Sequence, residues 1–410
     1  MGVFCGIDWA EGHHDIAIID SQGSLLVKKR IPETVDGFNE LIELLAACGD
    51  TSEAPIPVAI ETSRGLLVSA LIASGRPAYA INPMAVARYR ERHSTARSKS
   101  DHADAMLLAN ILRTDGHIHR RLPNDSELAR SIRVLARAHQ DATWRRTKAV
   151  QELRAVLREF YPGFLAAFAD GATNLAGNDA RAILTIAPTP AAGTTLTRSR
   201  IVAALKRGGR QRRLDEVAAH VRQALREPQL RQQPLVEEAF GQQVIALLAI
   251  LDAACSNVDH LGQAVAQAFQ AHPDHAIIAS FPGLGNTTGA RLLGEIGDDR
   301  TRFHDARALK AYAGSAPITR ASGRSRSITR RRIKNNRLAA TGFIWAFMAI
   351  TNSAAARAHY DHRRAVGDHH AAALRHLFNR YLGQLHHCLI TSQTYNDEKA
   401  FPRPPLAAAA

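Results

Sequence analysis

Val3–Asp20, VFCGIDWAEGHHDIAIID, decides the fold. Val3–Asp8 and His14–Asp20 are short runs rich in Ile and Val, with Gly12 in the break between them. That pattern predicts two neighbouring strands joined by a tight turn. Gln22-Gly23 marks a second turn, and Ser24–Arg30 reads as a third strand. Thr34–Ala47 then places Phe38, Leu41, Ile42, Leu44 and Leu45 at helical spacing. Pro57–Glu61 is a short buried strand, Gly65–Ser74 a helix and Pro77–Ile81 another strand. Asp101–Thr114 is a helix with Met106, Leu107, Ala109, Ile111 and Leu112 on its apolar side.

The resulting order is three strands, helix, strand, helix, strand, helix, which is that of a ribonuclease H-like α/β domain. It spans residues 1–122 in this reading. Past Ser126 the strands stop. Glu127–Phe160 is a long helix broken by Pro162 and Gly163, and Pro234–Phe269 is a second, with Val236, Phe240, Val244, Leu247, Leu248, Leu251, Val258 and Leu261 as its apolar positions. Two such helices pair as an antiparallel hairpin, or serve as a dimer contact or as internal packing. Between them, Leu196–Lys206 and Leu214–Leu225 read as helices around the basic turn Arg207–Arg213, after a Pro-containing loop at Ala187–Gly193. The chain therefore divides into 1–122, a helical or coiled-coil region at 123–275, a mainly α region at 276–352, and a helical extension at 353–410 with a disordered Pro- and Ala-rich tail.

Lys and Arg number 52 against 38 Asp and Glu in 410 residues, a formal net charge of +14. Such a surface calls for a polyanion, and nucleic acid is the natural one, because neutralised phosphates release their counterions. Cys5, Cys48, Cys255 and Cys388 lie far apart, without zinc-ligand spacing or a disulfide framework, and suit a reducing cytoplasm. The opening MGVFCGID has no secretory leader pattern. The longest apolar stretches, near Val244–Ala254 and Phe343–Ile350, are expected to be core helices too short to span a bilayer.

Four acids form the first chemical constellation. Asp8 closes the first strand, Glu61 closes the strand after the first helix, and Asp101 and Asp104 stand three apart on one helix face. Carboxylates on rigid elements suit Mg²⁺, or Mn²⁺, which takes a few carboxylate oxygens together with water and substrate phosphate. Paired ions of this kind activate an attacking oxygen and stabilise a leaving one. Asp101 follows Ser100 at a helix start, so it also reads as part of a cap.

The second constellation lies near the C-terminus. Ser280–Asp298, SFPGLGNTTGARLLGEIGD, reads as helix, tight turn, helix, held together by Ile277, Ile278, Leu292, Leu293 and Ile296. Gly283 and Gly285 allow a turn whose N–H groups face phosphate, the logic of a helix-hairpin-helix element. Downstream, Arg320, Arg324, Arg326, Arg330, Arg331, Arg332, Lys334 and Arg337 fall in eighteen residues without an acid. They are candidate contacts to a nucleic-acid backbone. Ser322-Gly323 sits among them. On chemistry alone a serine there is a phosphate contact more often than a nucleophile; arginines that hold a scissile phosphate would help it attack. Ser315, Ser325, Ser327 and Tyr312 are the neighbouring hydroxyls.

GIDWAEGHHDIAIID, VAIETSRGLLVSALIASGRPAYAINP and KSDHADAMLLANILR resemble the N-terminal domain of the insertion-sequence 110, or DEDD, transposases. The PGLG turn, AYAG, the SG pair and KNNRL resemble the C-terminal domain of the same family. The resemblance covers roughly half the chain, in the family's order. It implies a RuvC-like N-terminal domain whose metal-binding acids are Asp8, Glu61, Asp101 and Asp104, and a serine transposase domain whose nucleophile maps to Ser322. It further implies strand exchange through a phosphoserine bond between donor and target DNA, a bridge RNA as guide, and a homo-oligomer, dimer or tetramer, whose half-sites come from different subunits. The alternatives are a Holliday-junction-type endonuclease using the four acids and water, and a non-enzymatic nucleic-acid-binding protein on a resolvase-like scaffold.

Overall fold

The computed structural model describes residues 2–93, 101–168 and 175–401, without the side chains of Arg92, His93 and Asp101. It contains two compact units, Met1–Asp125 with Asp299–His304, and Ser126–Asp298 with Asp305–Ala410.

The first unit is α/β. In chain order it holds β1 (Phe4–Trp9), β2 (His13–Ile19), β3 (Leu25–Pro32), α1 (Val35–Ala47), β4 (Val58–Ile60), α2 (Leu66–Ala73), β5 (Ala78–Ala80), α3 (Pro83–His93) and α4 (Asp101–Asp115). The sheet order is β3-β2-β1-β4-β5. The first three strands are antiparallel, and β4 and β5 run parallel to β1. Alternation along β1 explains the layers. Cys5 and Ile7, with Ile16 and Ile18 of β2, are buried in one core with Leu41 and Leu45 of α1 and Val68 and Leu71 of α2. Thr34 caps α1 by accepting from the Gly37 N–H.

The opposite face of β1 carries Phe4, Gly6 and Asp8, and α4 packs there. A Cβ on Gly6 would lie 2.0 Å from the Ala105 carbonyl oxygen and 2.5 Å from the Ala109 nitrogen. The glycine is what lets α4 lie directly on the strand. The α3 helix is absent from the sequence reading. Its start has a local cause: Pro83 occupies the first turn, and the Asn82 side chain accepts from the Met84 N–H.

The second unit is built on the two long helices, Glu127–Phe160 and Pro234–Gln270. They are antiparallel neighbours: Phe160 stacks on Phe240 at 4.9 Å, while a Cβ on Gly262 would lie 3.5 Å from the His139 ring. A group of shorter helices between Pro162 and Arg226 packs Phe164, Ile183, Ile201, Leu205, Val221 and Leu225 into the same core. It includes Pro190–Thr194, a short helix where the sequence reading places a loop. A second core forms around Trp345, which stacks on Tyr381 at 5.0 Å and meets Phe281 edge-on at 5.5 Å. This core joins the helices Asn336–Asn352 and His370–Thr391. The long-helix segment and both later segments, apart from Asp299–His304, share one unit.

Two expectations change here. Strands do not end at Ser126: β6 (Ile318–Ser322) and β7 (Ser325–Thr329) form an exposed antiparallel hairpin. Helix Pro234–Gln270 runs 37 residues and holds an 18-residue window of mean hydropathy 1.5, so by length and composition it could cross a bilayer. The sequence reading counted only its unbroken apolar core. One face, including Val244, Leu248, Leu251 and Cys255, is buried in the unit's own core. The expected disordered tail falls largely at 402–410, outside the described residues.

Candidate active site

Asp8 lies at the end of β1, with Asp15 of β2 as its register partner. Glu61 follows β4, the parallel neighbour of β1, and Asp104 lies on α4 across the face opened by Gly6. Neighbouring strand ends and one crossing helix bring the three together: Asp8, Glu61 and Asp104 line a single cavity of about 450 Å³ with His13, Asp15 and Arg90. Asp101 opens α4, and its side chain lies outside the described residues.

Two further residues belong to this cavity: Arg90, which the sequence does not single out, and Asp15, which lies outside the motifs that carry the family resemblance. Arg90, on α3, pairs with the buried carboxylate of Asp104. Asp15, 1% exposed, receives two hydrogen bonds from Arg30, at 3.1 and 2.7 Å, and has His102 Nδ1 at 2.8 Å. Asp15 is therefore held by the Arg30 guanidinium, with the His102 ring beside it. Its place opposite Asp8 was legible from strand register, and Arg90 was not, because only tertiary packing sets α3 beside α4.

Asp8, Glu61 and Asp104 supply hard oxygen donors in one cavity, which fits Mg²⁺ or Mn²⁺ in donor type. Among the described residues, no three acids, histidines or cysteines converge closely enough to form a metal-binding cluster. Arg90 is the cation facing Asp104 in this arrangement.

The second constellation is in the other unit. Gly323 occupies the first central position of the two-residue turn between β6 and β7, with φ of +55°. That left-handed conformation suits glycine and closes the hairpin. Register pairs Ser322 with Ser325 and Arg320 with Ser327, while Ala321 pairs with Arg326. Alternation therefore puts Arg320, Ser322, Ser325 and Ser327 on one face of the ribbon and Arg326 on the other. Ser322, Arg320, Arg324, Arg326, Arg330 and Arg332 are exposed.

The remaining candidates have structural work. Arg337 donates to Asp141 at 2.8 Å and to Gln140 at 2.9 Å, and lies 5.1 Å over the Trp144 ring. Arg331 reaches the Ala316 carbonyl at 3.4 Å, and Lys334 lies against Gly314. Ser315 is 5% exposed and donates to Asn379 at 2.9 Å, which separates it from the exposed serines. Tyr312 accepts from Asn335 at 2.7 Å.

That asparagine belongs to a buried clamp on Glu295. Glu295, 4% exposed, receives Arg137 Nε and Nη2 at 2.7 and 2.8 Å and Asn335 Nδ2 at 2.6 Å. Asn335 also caps Asn336–Asn352 by accepting from the Leu338 N–H at 3.0 Å. Burial would raise the Glu295 carboxyl, but the hydrogen bonds from Arg137 and Asn335 outweigh it and hold it below its ordinary range.

The PGLG segment forms a sharp turn as expected. Leu284 N–H donates to the Phe281 carbonyl at 3.2 Å, and Gly283 has φ of +82°. A Cβ on Gly283 would lie 2.7 Å from the Ala349 nitrogen, so the turn is pressed against helix Asn336–Asn352. Gly285 precedes helix Asn286–Ile296 with ordinary backbone angles. Both glycines line a cavity of about 730 Å³ that also contains the carboxylate of Asp397. An acid in that wall works against an anion.

Residues 5–162, which include the acid cavity, match a family described as transposase, the DEDD type of IS110. Residues 275–361, which include the hairpin, match the transposase IS116/IS110/IS902 family. The chain is thus a transposase, an enzyme that acts on DNA. It is 58% identical over 410 residues to the IS117 mini-circle transposase of Streptomyces coelicolor, covering 100% of this chain and 99% of that one. It is 28% identical to the 42 kDa protein of insertion element IS900 from Mycobacterium paratuberculosis, covering 93% and 94% of the two chains. Against the 43.6 kDa protein of insertion element IS110 from Streptomyces coelicolor, identity is 27% with 94% and 93% covered. The chain belongs to the IS110 family of transposases.

Proposed function

We propose that this transposase cuts and exchanges strands of an insertion sequence through a serine–DNA bond, using a RuvC-like, ribonuclease H-like domain and a serine-bearing hairpin. The sheet order β3-β2-β1-β4-β5, with acids at the ends of β1 and β4 and on α4, supports the first half of that reading. Asp8, Glu61, Asp101 and Asp104 would hold Mg²⁺ or Mn²⁺. When bound, the ion supplies Lewis-acid stabilisation of charge that develops on phosphate and leaving oxygens.

The observation that carries the serine assignment is the position of Ser322. It ends β6 beside the hairpin turn, exposed, on the same ribbon face as Arg320. In the first step Ser322 Oγ attacks a phosphodiester phosphorus. A serine Oγ–P bond forms, the P–O3′ bond breaks, and the serine proton leaves with the 3′ oxygen as a hydroxyl. A free 3′-hydroxyl then attacks the phosphoserine, restoring a phosphodiester and returning the proton to Ser322. Arg320 and Arg324 orient the phosphate and offset its charge in both steps. Donor and target DNA are the substrates; a bridge RNA as guide and half-sites shared between subunits of a homo-oligomer complete the proposal.

The test is a purified strand-transfer assay with Mg²⁺, resolved on denaturing gels for protein–DNA adducts. Ser322→Ala should abolish the adduct and strand transfer, and Asp8→Ala should abolish turnover. Adducts and strand transfer that persist in Ser322→Ala refute the serine assignment. Junction cutting by the wild-type chain without any adduct favours the hydrolytic endonuclease instead.

A further inference from the structure

The helical group between the two long helices has a charged face that the hairpin chemistry does not use. It centres on helix Arg198–Arg207 and the glycine turn that follows it. Ile201, Ala204 and Leu205 are buried in the unit's core, which fixes the outward side of the helix. Arg200 and Arg207, seven residues apart, lie on nearly the same exposed line of that helix, with Lys206 beside them. Gly209, with φ of +92°, turns the chain, and Arg212 follows, also exposed.

The nearby acids are already occupied. Asp179 holds Arg210 at 2.6 Å, Asp215 holds Arg198 at 2.8 Å, and Glu216 pairs with Arg213. Asp252, next to Arg207 in a shared cavity wall, pairs with Arg181. Arg200, Lys206, Arg207 and Arg212 are left with no side-chain hydrogen bond or ion pair among the described residues. Arg200, Lys206 and Arg207 on the helix and Arg212 five residues beyond its end are exposed cations without counter-charge; they repel one another, and a fixed polyanion relieves that repulsion.

We infer that this face is a second DNA-docking surface, in which Arg200, Lys206, Arg207 and Arg212 contact the phosphates of duplex DNA away from the hairpin. Charge complementarity names the occupant, and duplex DNA is the polyanion on which a transposase acts. The contact is to the backbone, so it adds affinity and register without reading base sequence. It is independent of the role assigned to Ser322.

The experiment measures binding of the full chain to a duplex across a salt series, for wild type and for a variant with Arg200, Lys206, Arg207 and Arg212 all changed to Gln. Each phosphate contact contributes about 0.9 to the slope of log affinity against log salt, so the variant should lose roughly 3 to 4 from that slope. Between 50 and 200 mM salt this is a difference of roughly 60- to 250-fold in salt sensitivity. A second measurement needs no variant: bound duplex should protect Arg200, Arg207 and Arg212 from phenylglyoxal, read by peptide mass spectrometry. A slope unchanged within one, or arginines modified equally with and without duplex, overturns the proposal. So does protection by single-stranded RNA with none by duplex DNA.

Discussion

Removing the Glu295 carboxylate should loosen the start of helix Asn336–Asn352, which Asn335 caps. Glu295 is 4% exposed and accepts two hydrogen bonds from Arg137 and one from Asn335. Deleting one partner of a buried, hydrogen-bonded pair costs about 3–5 kcal/mol, because the other charge is left without compensation. The Arg137 side chain is 30% exposed and can recover part of its hydration, so Glu295→Ala should cost about 2–4 kcal/mol. The readout is hydrogen exchange at the start of helix Asn336–Asn352, where Leu338 N–H is held by Asn335. At tenfold per 1.4 kcal/mol, protection there should fall roughly 30- to 700-fold. Glu295→Gln, which keeps the shape and loses the charge, should fall between the variant and wild type. The pH arm has a definite sign. The folded carboxyl sits below its ordinary value, so its contribution is complete above the unfolded pKa and disappears as pH falls through the folded pKa. The gap between wild type and Glu295→Ala should therefore close on the acid side. A loss under about 1 kcal/mol at neutral pH, or a gap that widens on acidification, refutes the clamp.

His139 is buried, and Arg291 Nη2 donates to its Nδ1 at 3.1 Å, so that nitrogen must be unprotonated. Burial first, then the charges of Arg291 and Arg146, bring its pKa down to about 4. The folded state thus resists a proton that the unfolded state accepts, and stability should decline from about pH 6.5 toward pH 4; His139→Gln should flatten that part of a urea-midpoint profile. Gly6→Ala would force a Cβ to 2.0 Å from the Ala105 carbonyl oxygen and should displace α4, costing about 3 kcal/mol or more and eliminating turnover, as checked by urea unfolding and strand transfer. Gly283→Ala meets both a left-handed φ and the Ala349 backbone, so a loss of about 2–4 kcal/mol is expected in the same unfolding assay. Ser315→Ala should cost about 1 kcal/mol through its lost bond to Asn379 while adducts still form, in contrast to Ser322→Ala.

Local patterning determined much of this chain. Alternating and helical apolar spacing marked β1 to β5, α1, α2 and α4 and both long helices, because burial on one face leaves a periodic trace in a single segment. The same trace put Asp8 at a strand end and Glu61 next to one. It did not mark β6 and β7: a hairpin exposed almost throughout buries no face, so Arg320–Ser327 showed only a basic, serine-bearing run until backbone pairing defined its two sides. The basic run also gave its members equal standing. Only tertiary contacts committed Arg337 to Asp141 and Trp144 while leaving Arg320 and Arg324 exposed, since the partner lies nearly two hundred residues away in sequence. Likewise, the pairing of Arg90 with Asp104 depends on how α3 packs on α4, and no spacing rule contains it. Sequence by itself marked the groups proposed here to act on DNA. The fold decided which of them share a cavity, which are tied into the scaffold, and which face outward, because those outcomes depend on contacts between distant segments.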